Sequence, residues 1–242
     1  IYWSEGQKYG VVRNSQFINN SVHAVDKADG GAILWDKANI EATIDNCTFD
    51  GNYVTTSATI KDKPWVQGGA IYARPDGGKL VINNSEFRNC WSIREAGALY
   101  VDSSNTLGIY VLNTKFINNT AKGVLATDTD NDKGGGGAMI KGTKNVWFIN
   151  TTFINNTANF GGGLTVWKLN ANSVYLINST FDGNNATGGK LGSNSGGSIY
   201  GASSFNIENV TISNSFAAEK GGGIYFTNVD VNYKNLTFIN NT

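Results

Sequence analysis

Three aspartates at alternate positions have the spacing of a metal site. Asp128, Asp130 and Asp132 lie in the stretch DTDNDKGGG. Alternate carboxylates are how a loop surrounds Ca2+ with hard oxygen ligands. Two positions depart from the EF-hand loop, since Lys133 stands where that loop has Gly and Met139 where it has its bidentate Glu. A calcium site and a solvated acidic loop both stay open, and Ca2+ is the only cofactor that the sequence suggests.

Six aromatic and aliphatic residues form a second candidate site, for binding a partner. They occur in three pairs at alternate positions: Tyr110 and Leu112, Trp147 and Ile149, and Tyr175 and Ile177. In a strand, the two members of such a pair face the same side, here the side opposite the core. A patch on the order of several hundred Å2 is more apolar surface than a solvated face normally carries. The patch is predicted either to dock a glycan or a protein, or to be covered by an insertion.

Trp65 is a further candidate for partner binding. It follows Pro64 in the segment YVTTSATIKDKPWVQ, which interrupts the regular pattern of the chain. A tryptophan at a loop tip can contact a partner, and it can equally anchor its own loop. Both hypotheses stand at this stage.

Catalytic arrangements are not recognisable in the sequence. The chain has one histidine, His23, so Ser-His-Asp and Cys-His sets do not recur. Polysaccharide lyases and hydrolases need carboxylates, often with Arg or Lys, that converge on one exposed face. Acidic residues such as Asp26, Asp29 and Glu208 show no such convergence in their spacing. We therefore predict no catalytic residues.

Charge, cysteine use and hydropathy exclude several classes of protein. The chain carries 19 basic and 19 acidic residues, so the basic footprint of a nucleic-acid-binding protein is absent. No apolar run approaches the roughly 18 residues that a membrane helix needs. Cys47 and Cys90 occupy different positions of the repeat described below, which predicts two buried free thiols rather than a disulfide.

A repeat dictates the elements that hold these residues. Eight copies align on an apolar anchor at intervals of 26 to 38 residues, which is the range of solenoid repeats. The anchors are Phe17, Phe49, Phe87, Phe116, Phe153, Phe181, Ile212 and Phe238. Three residues before them stand Asn14, Asn46, Asn84, Asn113, Asn150, Asn178, Asn209 and Asn235. Because Asn tolerates the left-handed backbone region, it is predicted to be a turn residue that stacks into a ladder.

Short strands are expected on both sides of these turns. Upstream of each Asn the apolar residues alternate, as in Val174 and Leu176, which predicts a strand with one buried face. Glycine boxes, placed at Gly30, Gly68, Ala96, Gly136, Gly161, Gly196 and Gly221, precede a second strand. The spacing from box to anchor is nearly constant and the spacing from anchor to box varies, so insertions are expected at one corner. We predict an all-β parallel β-helix of about seven to eight coils, a single domain over residues 1–242.

Two further columns follow the glycine boxes. Tyr72, Tyr100, Tyr200 and Tyr225 are predicted to form a structural ladder, with a direction that is ambiguous by one step of register. Two positions further on, Asp36, Arg74 and Asp102 are predicted to form an exposed charge ladder of small energetic weight.

The repeat resembles that of known surface proteins. The alternation of GGA[IL] with FxxN resembles the repeat of chlamydial polymorphic outer-membrane proteins, and STFxNNxA...GGAIY is similar to the adhesin-like surface proteins of methanogenic archaea. The resemblance covers nearly the whole chain, from Phe17 to Asn241. It implies a right-handed parallel β-helix that is displayed at the cell surface and used for attachment. The third copy departs from the pattern with AGAL and FRNC, and the seventh with TISNS.

The sequence therefore predicts a non-catalytic adhesin module, extracellular at a cell surface, that attaches to glycans or proteins of a host or partner cell. No nucleic-acid partner is expected. Because the chain begins with Ile1 and its last repeat ends at FINNT, we expect a segment of a longer surface protein, whose flanking regions would supply any membrane anchor. The alternative hypothesis is a polysaccharide lyase or glycoside hydrolase on the same scaffold.

Overall fold

The computed structural model of the protein describes residues 1–4, 9–37, 41–57, 65–75, 77–102, 106–123, 134–142, 145–167, 173–188 and 194–242. Within these ranges the only regular elements are strands, which confirms the all-β prediction. Each coil of the chain visits three sheets in turn, and neighbouring strands in each sheet are parallel. The chain is therefore a parallel β-helix, as predicted.

Sheet 1 is the largest, with 14 strands, because most coils cross it with two strands joined by a bend. Its strands are Tyr9–Arg13, Gln16–Ile18, Glu41–Asp45, Thr48–Asp50, Lys79–Asn83, Glu86–Arg88, Gly108–Leu112, Lys115–Ile117, Val146–Ile149, Thr152–Ile154, Ser173–Ile177, Thr180–Asp182, Ser204–Ser213 and Val231–Ile239. The last two strands run across the bend without a break.

Sheets 2 and 3 have seven and eight strands, which matches the predicted number of coils. Sheet 2 consists of Ser21–Ala24, Tyr53–Thr56, Trp91–Ser92, Thr120–Ala121, Thr157–Ala158, Asn185–Ala186 and Phe216–Ala217. Sheet 3 consists of Tyr2–Trp3, Ile33–Asp36, Ile71–Arg74, Leu99–Asp102, Ala138–Lys141, Leu164–Trp167, Ile199–Ala202 and Ile224–Phe226. A separate two-stranded ladder, Lys27–Asp29 with Trp65–Gln67, lies just before the glycine turn.

The core is a column of phenylalanine rings inside the coil stack. Six of the eight anchors, from Phe17 to Phe181, stack with ring centroids 4.6 to 5.0 Å apart and planes within 7°. This separation equals the spacing of neighbouring strands, so each ring lies above the ring of the previous coil. Ile212 continues the column fully buried, and Phe238 in the last coil is 54% exposed.

One glycine box is displaced by a residue from its predicted position. The left-handed turn of the fourth copy is at Gly135, with φ +71°, and not at Gly136. A Cβ at Gly135 would lie 2.2 Å from the carbonyl oxygen of Ala138, the same conflict that Gly68 has with Ile71. Ala138, three residues after Gly135, consequently pairs with Leu99, which stands three residues after Ala96. Four consecutive glycines give no sequence marker for the turn, which explains the error.

The insertions lie at one corner, as predicted. The segments that differ most in length join sheet 2 to the glycine turn before sheet 3. Gly161 follows the strand Thr157–Ala158 almost directly, whereas a much longer segment separates Tyr53–Thr56 from Gly68.

The asparagines before the anchors form the predicted turn ladder. All eight have φ between +46° and +54°. Their exposed side chains bond from coil to coil: Asn46 Nδ2 donates to Asn14 Oδ1 at 2.8 Å, and Asn235 Nδ2 donates to Asn209 Oδ1 at 2.9 Å. Left-handed backbone at a non-glycine residue is least costly for Asn, which accounts for the choice of residue.

A second set of asparagines forms a buried amide spine, consisting of Asn52, Asn119, Asn156 and Asn184, each of them 0% exposed. In Asn156, Oδ1 accepts the backbone N–H and the side-chain Nδ2–H of Asn119, each at 3.0 Å. Its Nδ2 donates to the carbonyl oxygen of Phe116 at 2.9 Å and to Oδ1 of Asn184 at 3.0 Å. Every donor and acceptor of this amide is therefore used, so the cost of burying it is offset.

Cys90 replaces the spine asparagine in one coil. Its thiol lies 3.5 Å from the carbonyl oxygen of Phe49, where the other coils have an amide donor. Cys90 and Cys47 are both buried and unpaired with each other, which confirms the prediction of free thiols. Burial raises the pKa of the Cys90 thiol to about 12, so the sulfur stays protonated.

We expect Asn156→Ala to lower the free energy of unfolding by about 2–4 kcal/mol, because it leaves the buried backbone N–H of Asn119 without its acceptor. Urea denaturation measures this loss. The matched control is Cys90→Asn, which restores the amide at the same position of another coil and should stabilise the chain by about 1 kcal/mol. Equal stability of Asn156→Ala and the parent chain would contradict the role of the spine.

Candidate functional site

The six apolar candidates lie side by side on the outer face of sheet 1. Strand register pairs Tyr110 with Trp147 and Trp147 with Tyr175. In the same strands, Leu112 pairs with Ile149 and Ile149 with Ile177. We call these six residues the apolar strip.

The strip is partly open to solvent. Its aliphatic positions are bounded by polar residues on both sides, and its aromatic positions are preceded by Val81 and followed by Asn206. Each of its six side chains is half-buried, whereas the inward side chains of the same strands are fully buried. The position of Leu112 recurs in every coil of the sheet. The coils before the strip have Asp45 and Asn83 at this position, and the coils after it have Glu208 and Lys234. The strip is thus a local feature of three coils and not a property of the whole face.

The three aromatic rings of the strip stack on one another. The centroids of Tyr110 and Trp147 are 4.5 Å apart with planes at 1°, and those of Trp147 and Tyr175 are 5.3 Å apart at 7°. Both faces of Trp147 are therefore covered by its neighbours. A partner can therefore contact only the edge of the Trp147 ring. Tyr110 and Tyr175, at the two ends of the stack, each have one face that no ring of the strip covers.

Gly108 makes room for this stack. A Cβ at this position would lie 3.0 Å from Cε2 of Tyr110 and 3.1 Å from Cζ3 of Trp147. Contacts this short require neighbouring atoms to shift. The missing side chain at Gly108 lets the rings of Tyr110 and Trp147 lie close to the strand.

The two ends of the ring stack have different surroundings. At one end, Lys79 Nζ lies 4.9 Å from the ring centroid of Tyr110, within cation–π range. At the other end, the coil after Tyr175 carries Asn206 at the paired position. The outer face of the Tyr175 ring is therefore directed toward a small polar side chain and not toward another ring.

A surface cavity of 330 Å3 adjoins Tyr175, and we call it the hollow. Its lining consists of Tyr175, Ile177, Asn206, Glu208, Asn232 and Lys234 at outward positions, together with Ile207 and Tyr233 of the same strands. Asn232 Nδ2 donates to Asn206 Oδ1 at 3.3 Å, and Lys234 Nζ lies 2.9 Å from Glu208 Oε1. The hollow thus combines an aromatic wall with amide, carboxylate and ammonium groups.

Trp65 is remote from the strip in the fold. It lies in the two-stranded ladder before the glycine turn, paired with Lys27, whereas the strip belongs to sheet 1. Its ring is 54% exposed, and the guanidinium carbon of Arg94 lies 5.9 Å from the ring centroid. An exposure of more than half does not fit a buried anchor, so partner contact stays a prediction for this residue.

The calcium candidates Asp128, Asp130 and Asp132 lie outside the described residues. Within the part of the chain that the structure describes, no group of three or more His, Cys, Asp or Glu side chains is placed to hold a metal ion.

A buried polar column was missed by the sequence analysis. Asp29, Gln67 and Glu95 stand directly before the glycine turn in successive coils, and all three are buried. Gln67 Nε2 donates to Glu95 Oε2, and Asp29 Oδ2 lies 3.1 Å from Lys27 Nζ. The signal was a polar residue immediately before successive glycine boxes. Because these carboxylates are buried, they do not form the exposed convergence that a polysaccharide-cleaving site needs.

The two columns on sheet 3 have different outcomes, since the tyrosines stack as a ladder and the charged residues are less exposed than predicted. Tyr72 and Tyr100 stack with centroids 5.4 Å apart and are buried, Tyr200 is also buried, and Tyr225 is half-buried. The charge ladder was expected to be exposed, which is wrong for these residues: Asp36 and Arg74 are half-buried, with Arg74 Nε donating to Asp36 Oδ1 at 2.8 Å. Desolvation raises the pKa of Asp102 even though Lys141 and Arg74 oppose the shift.

Comparison with family models, with curated proteins and with solved structures finds no match for this chain. The described residues include no helix that is long and apolar enough to cross a membrane. The geometry of the strip and the hollow therefore carries the functional argument.

We expect Asp29 to make the stability of the fold pH-dependent. Burial raises its pKa from the usual 3.8 to about 6, against the opposing charge of Lys27. Between these values the folded chain holds a proton that the unfolded chain has lost, so stability falls as the pH rises from about 4 to about 6. Because Asn does not titrate, Asp29→Asn removes this decrease in the free energy of unfolding, which is at most about 3 kcal/mol.

Urea unfolding at pH 4 and pH 7 measures the effect, with Asp26→Asn at an exposed position as the control. Identical pH dependence for the parent chain and Asp29→Asn would show that this carboxyl group titrates normally in the fold.

Proposed function

We propose that this chain is a non-catalytic attachment module of a cell surface, which binds a partner cell through the apolar strip. The observation that carries the proposal is the strip itself, in which six half-buried aromatic and aliphatic side chains meet on the outer face of three successive coils. Large aromatic side chains at the centre of a patch are the usual anchors of a binding interface.

The scaffold suits attachment because it holds the strip rigidly. Each strip residue belongs to a strand with hydrogen-bonded strands on both sides, and Gly108 lets the rings settle against the sheet. A rigid side chain loses little conformational freedom on binding, so more of the contact energy contributes to affinity. Location outside the cell is part of the same proposal, and the resemblance of the repeat to surface adhesins supports it.

Enzymatic activity is the competing hypothesis. Asp29 and Glu95, the carboxylates of the column before the glycine turn, are buried. Beside the strip, Glu208 is paired with Lys234 rather than with a second carboxylate. Assays of polysaccharide depolymerisation on the purified chain test this hypothesis directly, and turnover of any polymer would overturn the attachment proposal.

The aliphatic half of the strip can be replaced by polar side chains, since the coil before it already has Asn83 at the position paired with Leu112. We expect the triple variant Leu112→Asn, Ile149→Asn and Ile177→Asn to weaken attachment by more than about tenfold, because each lost apolar anchor removes contact area. The measurement is the number of protein-coated beads that stay bound to a panel of microbial and animal cells under flow.

The matched control places three asparagines on the neighbouring arm of the same sheet, as Thr48→Asn, Thr211→Asn and Thr237→Asn. These outward positions lie beyond the bend of sheet 1. We expect beads coated with this control variant to attach as well as beads coated with the parent chain. Undiminished attachment of the strip variant, or no attachment of parent beads to any cell, would contradict the proposal.

A further inference from the structure

We infer that the hollow binds one pyranose ring of a neutral glycan, with the sugar stacked on the free face of Tyr175. This inference rests on the proposed attachment function and names the chemistry of its ligand. On this inference, the module contacts a glycan on the partner surface and not the protein part of that surface.

The aromatic wall gives the first reason. A sugar presents a face of C–H groups, and such groups are attracted to the electron-rich face of an aromatic ring. Within the ring stack of the strip, Trp147 has both faces covered and Lys79 lies over Tyr110. Tyr175 is the ring of this stack that lines the hollow, and its neighbour in the next coil is Asn206 and not another ring.

The polar lining gives the second reason. Sugar hydroxyl groups both donate and accept hydrogen bonds. Around the hollow, Asn206 and Asn232 offer amide donors and acceptors, Glu208 offers acceptors and Lys234 offers donors. These groups lie on successive coils in strand register, so their positions relative to the ring are fixed.

The charge of the lining selects the kind of sugar. Lys234 Nζ lies 2.9 Å from Glu208 Oε1, so the two charges of the lining compensate each other. An acidic sugar would gain one attraction and suffer one repulsion of similar size, and it would lose water from its carboxylate. A neutral hexose uses the same two groups as hydrogen-bond partners without that loss.

The size of the hollow limits the ligand. A volume of 330 Å3 is at the lower end of the range for small-molecule sites, with room for about one or two sugar rings. So small a contact binds weakly by itself. Attachment through it would depend on many copies of the module at one surface, where multivalency multiplies a weak affinity.

The test is a titration of the isotope-labelled chain, followed by NMR, with methyl glucoside, galactoside, mannoside and N-acetylglucosaminide, and with methyl glucuronide as the acidic probe. We expect saturable shifts at the hollow with at least one neutral probe and weaker binding of the glucuronide. Tyr175→Ala should weaken binding at least about fivefold, and Tyr175→Phe should stay within about twofold of the parent.

Two controls keep the result interpretable. Tyr53→Ala removes a half-buried ring that stacks on Trp91 in sheet 2, away from the hollow, and should bind the sugar like the parent. Glu208→Gln keeps the shape of the lining but uncovers the charge of Lys234, so it should strengthen binding of the glucuronide relative to the neutral probes. The urea midpoint of each variant shows that it is folded.

The inference is overturned if no neutral probe binds saturably, if Tyr175→Ala binds as well as the parent, or if the glucuronide binds more tightly than glucoside. Failure here is separable from failure of the proposed function. Cell attachment that depends on Leu112 and Ile149 without any sugar binding would leave the attachment function standing on a protein contact. Sugar binding without cell attachment would leave the hollow as a sugar site and remove the attachment function.

Discussion

The buried amide spine is the interaction on which the rest of the structure depends. Asn119 and Asn156 each donate to the asparagine of the next coil, and Asn184 donates to the carbonyl oxygen of Phe153 in the previous coil. All three lie in an interior where an unmade hydrogen bond is costly. Hydrophobic packing of the phenylalanine column favours any stacked arrangement, because apolar contact has no direction. The amides add direction, since their bonds form only when one coil lies in a single register over another. Packing therefore supplies most of the stabilisation, and the spine decides which register is stabilised.

Fixed register is what turns a repeat into the proposed binding surface. When every coil is aligned, residues at equivalent positions become neighbours although they are about 30 residues apart in the chain. The strip arises because three successive copies carry apolar residues at the same two outward positions. The hollow arises one coil later, where Asn206 replaces the next ring and leaves the face of Tyr175 without a stacking partner. Both features are local changes on a scaffold that otherwise repeats, so the function can change without cost to the core.

The sequence was sufficient for the fold because the repeat marks its own turns. Asn three residues before each Phe located every bend of sheet 1, and the alternation of Val174 and Leu176 identified the inward face. It was insufficient where the marker is repeated, as in the four glycines around Gly135. It also placed the strip residues together but did not reveal that their rings cover one another, since ring orientation depends on space at Gly108. The hollow could not be predicted because it is formed by the small size of Asn206 beside a large ring, and cavities have no sequence pattern of their own.

Hydrogen exchange of the asparagine side chains tests the role of the spine most directly. NMR resolves the side-chain amide protons, and those of Asn119, Asn156 and Asn184 are predicted to exchange as slowly as the backbone amides of the core strands. The exposed ladder at Asn46 and Asn150 provides the comparison within the same molecule, with fast exchange expected there. Equally fast exchange in the two sets would show that the interior amides are not bonded from coil to coil, and the account of how the strip and the hollow are held would fail with them.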